Sequence, residues 1–197
     1  MNSPGFTMKA ASTSRIWTDD ELMALDSKDG HKHEMWHGRI VTMSPAGAGH
    51  GDVIMRLAAA VATHVYEHRL GLVYDGQTGF RLSVDFCFCP DLSFVSHDRA
   101  KLILPVREKL FHGAPDLAAE VLSPSDSITK TEQKLNRLLA HGTRLAWMVD
   151  LKHKSVRIYR KAGKFELLGE GRYLTGNAVL PGFRLAIARL FDDPAFS

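Results

Sequence analysis

Apolar and polar positions along the chain follow two different periods, and together they divide it into strands and helices. Phe80, Leu82, Val84, Phe86 and Phe88 alternate with Arg81, Ser83, Asp85 and Cys87. A period of two predicts one or two half-buried strands, continuing past Pro90 into Leu92-Ser93-Phe94-Val95. Between His50 and Leu70 the apolar residues Val53, Ile54, Leu57, Val61 and Val65 recur at helical spacing, with Gly71 as the stop. Leu117 to Leu122 is apolar except for Glu120 and reads as a central strand, and Leu145 to Val149 as a second. Between them, Ser125 to His141 predicts a helix ended by Gly142. Thr18-Asp19-Asp20-Glu21 is a capping box that opens a short helix through about Leu25. Glu34 to Met43 suggests one strand, and Ala100 to Ala114 is irregular. Val156 to Tyr159 and Phe165 to Leu168 form a hairpin, and Val179 to Phe191 holds a Pro-Gly turn and a last short helix. This order predicts an α/β fold, a mixed sheet with helices against it.

Composition narrows the class. With 197 residues and 45% hydrophobic content, one domain with a substantial core is expected over 17–197, behind a flexible N-terminal leader over 1–16. The net charge of +3 is too mild to indicate nucleic acid by itself, so a local basic face would have to do the steering. Apolar runs such as Leu57 to Ala62 are far short of a membrane span. Cys87 and Cys89, at i and i+2, point the same way on a strand and suit neither a mutual disulfide nor a zinc site. They read as reduced, partly buried thiols of a cytoplasmic protein.

The candidate chemistry lies in two strand carboxylates. Asp91 opens one strand, and Glu120 lies inside another, sharing a face with Ala118 and Leu122. A buried carboxylate without a partner is costly, so Glu120 must be protonated, paired with an Arg or Lys from elsewhere, or bound to a cation. If both strands aim at one point, the pair is a hard-oxygen site suited to magnesium. On the following helix Lys130 and Lys134 share a face, and either ammonium could approach the carboxylates.

Another motif competes. His33-Glu34-Met35-Trp36-His37 satisfies the HExxH zinc-protease pattern, but that chemistry needs a helix to bring both imidazoles to one metal. This segment lies between Gly30 and Gly38 and runs into Arg39-Ile40-Val41-Thr42. An extended chain is expected there, which separates the two histidines by about 13 Å.

Pro90-Asp91, Ala119-Glu120-Val121-Leu122-Ser123-Pro124-Ser125, Lys134, Gly142 and Trp147-Met148-Val149-Asp150 resemble the Uma-type family of restriction-endonuclease-like proteins, within the PD-(D/E)XK nuclease superfamily. Upstream, His33-Glu34-Met35, Gly38, Met43-Ser44-Pro45 and His50 are similar to the family's opening pattern; downstream, Leu180 to Leu185 and Leu190-Phe191 match its ending. The resemblance runs from about Trp17 to Phe191. It implies a magnesium-dependent endonuclease, with manganese as a substitute, that cleaves phosphodiester bonds, in DNA first of all. Asp91 and Glu120 would hold the metal, and Lys134 would orient water or stabilise developing charge. Glu34 would add a metal ligand or orient a water.

The superfamily's usual lysine position is Leu122 here, so the resemblance implies a lysine migrated to the next helix. Lys130 stands where relatives carry aspartate, Leu138 where they carry tyrosine, and His37 and Arg39 where they carry acids. A homodimer is also expected. The rival reading is a catalytically silent nuclease fold that binds nucleic acid or a protein partner. If Lys134 binds no metal, its replacement is expected to abolish cleavage while sparing the fold.

Overall fold

The computed structural model describes residues 15–29, 31–103, 109–123 and 126–192. Residues 1–14 of the expected leader, Pro124-Ser125 of the family-like motif and part of the irregular 100–114 stretch lie outside them. In chain order the elements are α1 (Asp19–Asp29), β1 (His33–Trp36), β2 (Arg39–Thr42), α2 (Ala48–Glu67), β3 (Gly71–Asp75), β4 (Phe80–Ser83), β5 (Phe86–Phe88), β6 (Leu92–Ser96) and α3 (His97–Ile103). They continue as β7 (Phe111–His112), β8 (Leu117–Leu122), α4 (Ile128–Ala140), β9 (Leu145–Asp150), β10 (Ser155–Lys161), β11 (Lys164–Gly169), β12 (Tyr173–Gly176), β13 (Leu180–Ala186) and α5 (Ala188–Phe191).

The central sheet runs β11-β10-β9-β8-β6-β3, with β8 and β9 parallel through the α4 crossover and its other pairs antiparallel. Helices cover both faces. Val53, Leu57, Val61 and Val65 of α2 pack with Leu92, Phe94, Ala119, Val121 and Trp147. Leu135 and Leu138 of α4 pack with Ala118, Leu122, Ala146 and Met148 on the other side. Side chains of a strand alternate between faces, so Glu120, between Ala119 and Val121, projects toward α4. The expected fold class and central strands are thus realised.

A second sheet, β2-β1-β5-β4-β7, leans on the first. Chain continuity joins them: β5 belongs to the small sheet, β6 to the large one, and Cys89-Pro90-Asp91 crosses between. Both faces of β5 are covered, so Phe86, Cys87 and Phe88 are all buried, and Cys87 and Cys89 are buried outside any disulfide. The predicted alternation fails at Val84, which is 66% exposed, because it sits in the turn between β4 and β5.

Other expectations need correction. The single strand over Glu34 to Met43 is a hairpin, turned at His37 (φ 50°) and Gly38 (φ 70°). Two consecutive positive φ values are the turn that matches strand twist, and a histidine at the first position gives little warning of it. The α2 helix ends before Gly71: His68 is its cap, and Arg69 takes the left-handed turn at φ 52°. Gly71 instead starts β3 against β6, where a Cβ would lie 2.2 Å from the Val95 carbonyl oxygen. Pro181-Gly182 is no turn between elements; it lies within β13, where the pairing with β12 shifts register.

Gly71→Ala is expected to cost about 3 kcal/mol or more, because the clash is with backbone and cannot relax by a rotamer change. Gly171→Ala, with nothing within 4 Å of the added carbon, is expected to stay within about 0.5 kcal/mol. Urea unfolding of the two variants beside wild type measures the contrast, and equal midpoints would refute it.

Candidate active site

Three elements from two sheets and a helix meet around one ammonium. Lys134 sits in α4 on the face that also carries Leu135 and Leu138, and only 4% of it is exposed. Its Nζ lies 2.5 Å from Oε1 of Glu34, 2.7 Å from Oε1 of Glu120, and donates to the Cys89 carbonyl at 3.3 Å. Lys130, one turn earlier, is exposed. The choice between the two lysines is therefore made by where α4 crosses the sheet, not by their shared spacing.

Glu34 enters from β1 and is itself tied down. Its Oε1 accepts the Cys89 amide at 3.0 Å, and its Oε2 accepts the Trp36 indole at 3.2 Å. The crossover at Cys89 is thus gripped through its N–H by Glu34 and through its carbonyl by Lys134. Asp91 follows at once. In the β6–β8 ladder Leu92 pairs with Ala119, and one further step of that antiparallel register sets Asp91 opposite Glu120. Opposed residues in such a ladder have Cβ atoms roughly 5 Å apart. Asp91 Oδ2 accepts the Val121 amide at 2.9 Å, which holds the carboxylate beside Glu120's own strand.

Two residues that sequence reasoning misses complete the cluster. His50, in the first turn of α2, places Nε2 3.3 Å from Asp91 Oδ2, and Lys32 places Nζ 3.7 Å from Oδ1. In the sequence His50 figures only as part of a family-like pattern. Lys32 stands two residues before Glu34, so in an extended chain the two share a side, but nothing local says that the side is buried.

Electrostatics divides the carboxylates. Burial raises the Asp91 pKa, but His50, Lys32, Lys134 and the Val121 N–H more than offset it, so the pKa falls to about 2 and the group is ionised. Glu120 goes the other way, pushed up to about 8 by burial, with repulsion from Asp91 and Glu34 only partly countered by Lys134 and Lys32. Burial alone would neutralise Lys134, yet Glu120, Glu34 and Asp91 hold it cationic and well above the ordinary lysine range. The hydrogen bond to Asp91 raises the His50 pKa against its own desolvation.

The HExxH segment forms no helix: His33 to Trp36 is extended as expected, while His37 lies in the hairpin turn with its ring against Phe86, 4.6 Å between centroids. Among the described residues no group of three or more His, Cys, Asp or Glu side chains forms a ready cage for a metal ion. A hard divalent cation of the magnesium type does not need one, since it takes one or two carboxylates and completes its shell with water and phosphate. Asp91 and Glu120 supply that donor set, and the buried Glu120 Oε1 has no partner in hydrogen-bond geometry despite the nearby ammonium.

A mixed sheet covered on both faces by helices, with acidic residues and a lysine at the crossover, defines a restriction-endonuclease-like α/β protein. A family profile described as "Putative restriction endonuclease" matches residues 19–188, and the chain belongs to that family, Uma2. The fold is similar to a crystal structure described as "a putative nuclease belonging to DUF820", from Anabaena variabilis ATCC 29413. The TM-score is 0.76 at 23% identity, covering 89% of this chain and 97% of that one. No curated protein matches the chain. Among the described residues, no helix is long and apolar enough to cross a membrane.

The pKa of Glu120 yields a sign. Between its ordinary 4.5 and about 8 the folded protein holds a proton that the unfolded chain releases, so stability falls as pH rises through that window, by up to about 1.4 kcal/mol per unit. Asp91, shifted from 3.8 down to about 2, has its full stabilising effect above that range and adds no slope there. His50, raised from 6.5, loses its stabilising effect as pH rises and so contributes the same sign. Glu120→Gln is therefore expected to remove the larger part of the fall between pH 5 and 8. Urea unfolding in chelator measures it, and an unchanged slope in the variant would count against a buried, proton-holding Glu120.

Proposed function

We propose that this protein is a magnesium-dependent endonuclease that hydrolyses phosphodiester bonds in DNA, with manganese able to replace magnesium. The observation that supports it most directly is the convergence of Asp91, Glu120 and Lys134, together with Glu34, at the crossover between the two sheets. The family's description as restriction endonucleases supports nucleic acid, and DNA first, as the substrate.

In this reading Asp91 and Glu120 hold the cation. A bound divalent cation would polarise a phosphate oxygen and lower the pKa of water. Asp91 is ready to bind it, being ionised already. Glu120 must give up its proton, so metal binding is expected to strengthen as pH rises toward 8. Lys134, held cationic by its neighbours, is a hydrogen-bond donor and not a base. It can orient an attacking water or steady charge on the phosphate, but it cannot take the water's proton. Glu34, fixed by the Cys89 amide and the Trp36 indole, positions the lysine; its pairing with Lys134 favours this role over that of a metal ligand.

Lys134's burial revises one expectation. Removing its ammonium strands two buried carboxylates, so Lys134→Met is expected to destabilise the metal-free protein by roughly 3–5 kcal/mol, as well as lowering cleavage by about a hundredfold or more. Asp91→Asn is expected to abolish cleavage and the rise in melting temperature that magnesium or manganese gives wild type. The test is cleavage of plasmid and single-stranded DNA with either metal, beside thermal unfolding with and without it. Wild type that cuts nothing across a broad substrate panel yet binds nucleic acid would favour the silent-fold reading.

A further inference from the structure

The Lys134 ammonium is already enclosed by groups of the chain itself. An ammonium carries three N–H groups, and this one faces three acceptors: Glu34 Oε1, Glu120 Oε1 and the Cys89 carbonyl. Lys32 is the opposite case. Its side chain is only 17% exposed, yet among the described residues its sole ionic partner is Asp91 at 3.7 Å, beyond hydrogen-bond distance. Its Nζ lies over Gly76, where an added Cβ would sit 3.5 Å away, so it rests against bare backbone. A largely buried ammonium with unfilled donors is costly unless an anionic oxygen comes to it.

Charge points the same way. Three carboxylates, Glu34, Asp91 and Glu120, face the two ammoniums of Lys32 and Lys134, with His50 at the edge. With all five ionised the cluster is one negative charge out of balance. A divalent cation on Asp91 and Glu120 would reverse that sign and leave one positive charge, the complement of one phosphodiester.

We infer that Lys32 is a phosphate-binding catalytic residue, donating from Nζ to a non-bridging oxygen of the phosphodiester held at the Asp91–Glu120 site. This deepens the nuclease reading and rests on it for the substrate class. Lys134 then keeps the site assembled, while Lys32 meets the substrate. The division of labour follows from which ammonium the chain's own acceptors already surround. Lys32 also stands next to the β1 hairpin, its carbonyl accepting the Met43 amide at 2.8 Å, so its backbone is anchored and its stem is aimed.

The experiment compares wild type, Lys32→Met, Lys32→Arg and, as a control for loss of one nearby charge, Lys130→Met. Three quantities are measured: manganese affinity by electron paramagnetic resonance, affinity for a fluorescent DNA duplex in calcium, and single-turnover cleavage in magnesium. Lys32→Met is expected to bind manganese as well as wild type or better, since a cation beside Asp91 is gone. It should bind DNA about tenfold more weakly and cleave it at least a hundredfold more slowly. Lys32→Arg should recover part of both losses, and Lys130→Met should change DNA affinity by about twofold or less.

Loss of manganese binding in Lys32→Met would overturn the inference, because the lysine would then act through Asp91. Unchanged DNA affinity in Lys32→Met, or an equal loss in Lys130→Met, would overturn it too. If wild type cuts nothing, the nuclease reading fails on that arm. The calcium-state DNA affinities still decide whether Lys32 holds phosphate, and wild type that binds no DNA decides against it.

Discussion

The ammonium of Lys134, enclosed by the carboxylates of Glu34 and Glu120 and the carbonyl of Cys89, is the contact through which the small sheet, the large sheet and α4 are held in register. Each partner comes from a different place: Glu34 from β1, Glu120 from β8, Cys89 from the strand crossover. A buried charge of either sign alone would cost several kcal/mol, so the arrangement is stable only when all are present together. That constraint explains why the crossover carries Cys89 with both its main-chain groups used, and why Asp91, two residues on, is delivered to the same point. Packing on either side, by α2 on one face and α4 on the other, keeps water from relieving the interaction.

The cluster holds three carboxylates against two lysines, and its members respond differently. Asp91 accepts a main-chain N–H and faces two cationic groups, so it is ionised; Glu120 faces two like charges in a drier place and holds its proton. Two carboxylates in opposed strand positions repel when both are ionised, and the proton on Glu120 removes that repulsion. With a cation on Asp91 and Glu120, the remaining groups divide the work between them. Glu34 steadies a lysine, Lys134 steadies the frame, and Lys32 stays largely buried, with Asp91 as its ionic partner among the described residues.

Much of the frame was legible in the residues themselves. The apolar run from Leu117 to Leu122 matched β8 end to end, because a strand buried on both faces has no other way to be written. The helical spacing from Val53 to Val65 found α2, and the capping box at Thr18 was realised by reciprocal bonds, the Thr18 amide to Glu21 at 2.9 Å and the Glu21 amide to Thr18 at 3.2 Å. What failed was local geometry with weak signals. The hairpin turn uses His37 at positive φ, and the glycine after α2 serves strand contact at Val95 instead of helix termination.

By itself, the sequence determined that Glu120 is a carboxylate inside a buried strand, that Asp91 stands at the start of a neighbouring one, just before its first residue Leu92, and that a lysine follows on the next helix. Those are statements about period and residue type, which act over a few residues. Only the tertiary structure decided which lysine reaches the carboxylates, since Lys130 and Lys134 share a helix face and differ only in where that face meets the sheet. It alone brought Lys32 and His50 to Asp91 from 59 and 41 positions away in the chain. Charge pairing across such separations depends on distances of a few ångströms that chain topology sets, and no local pattern encodes them.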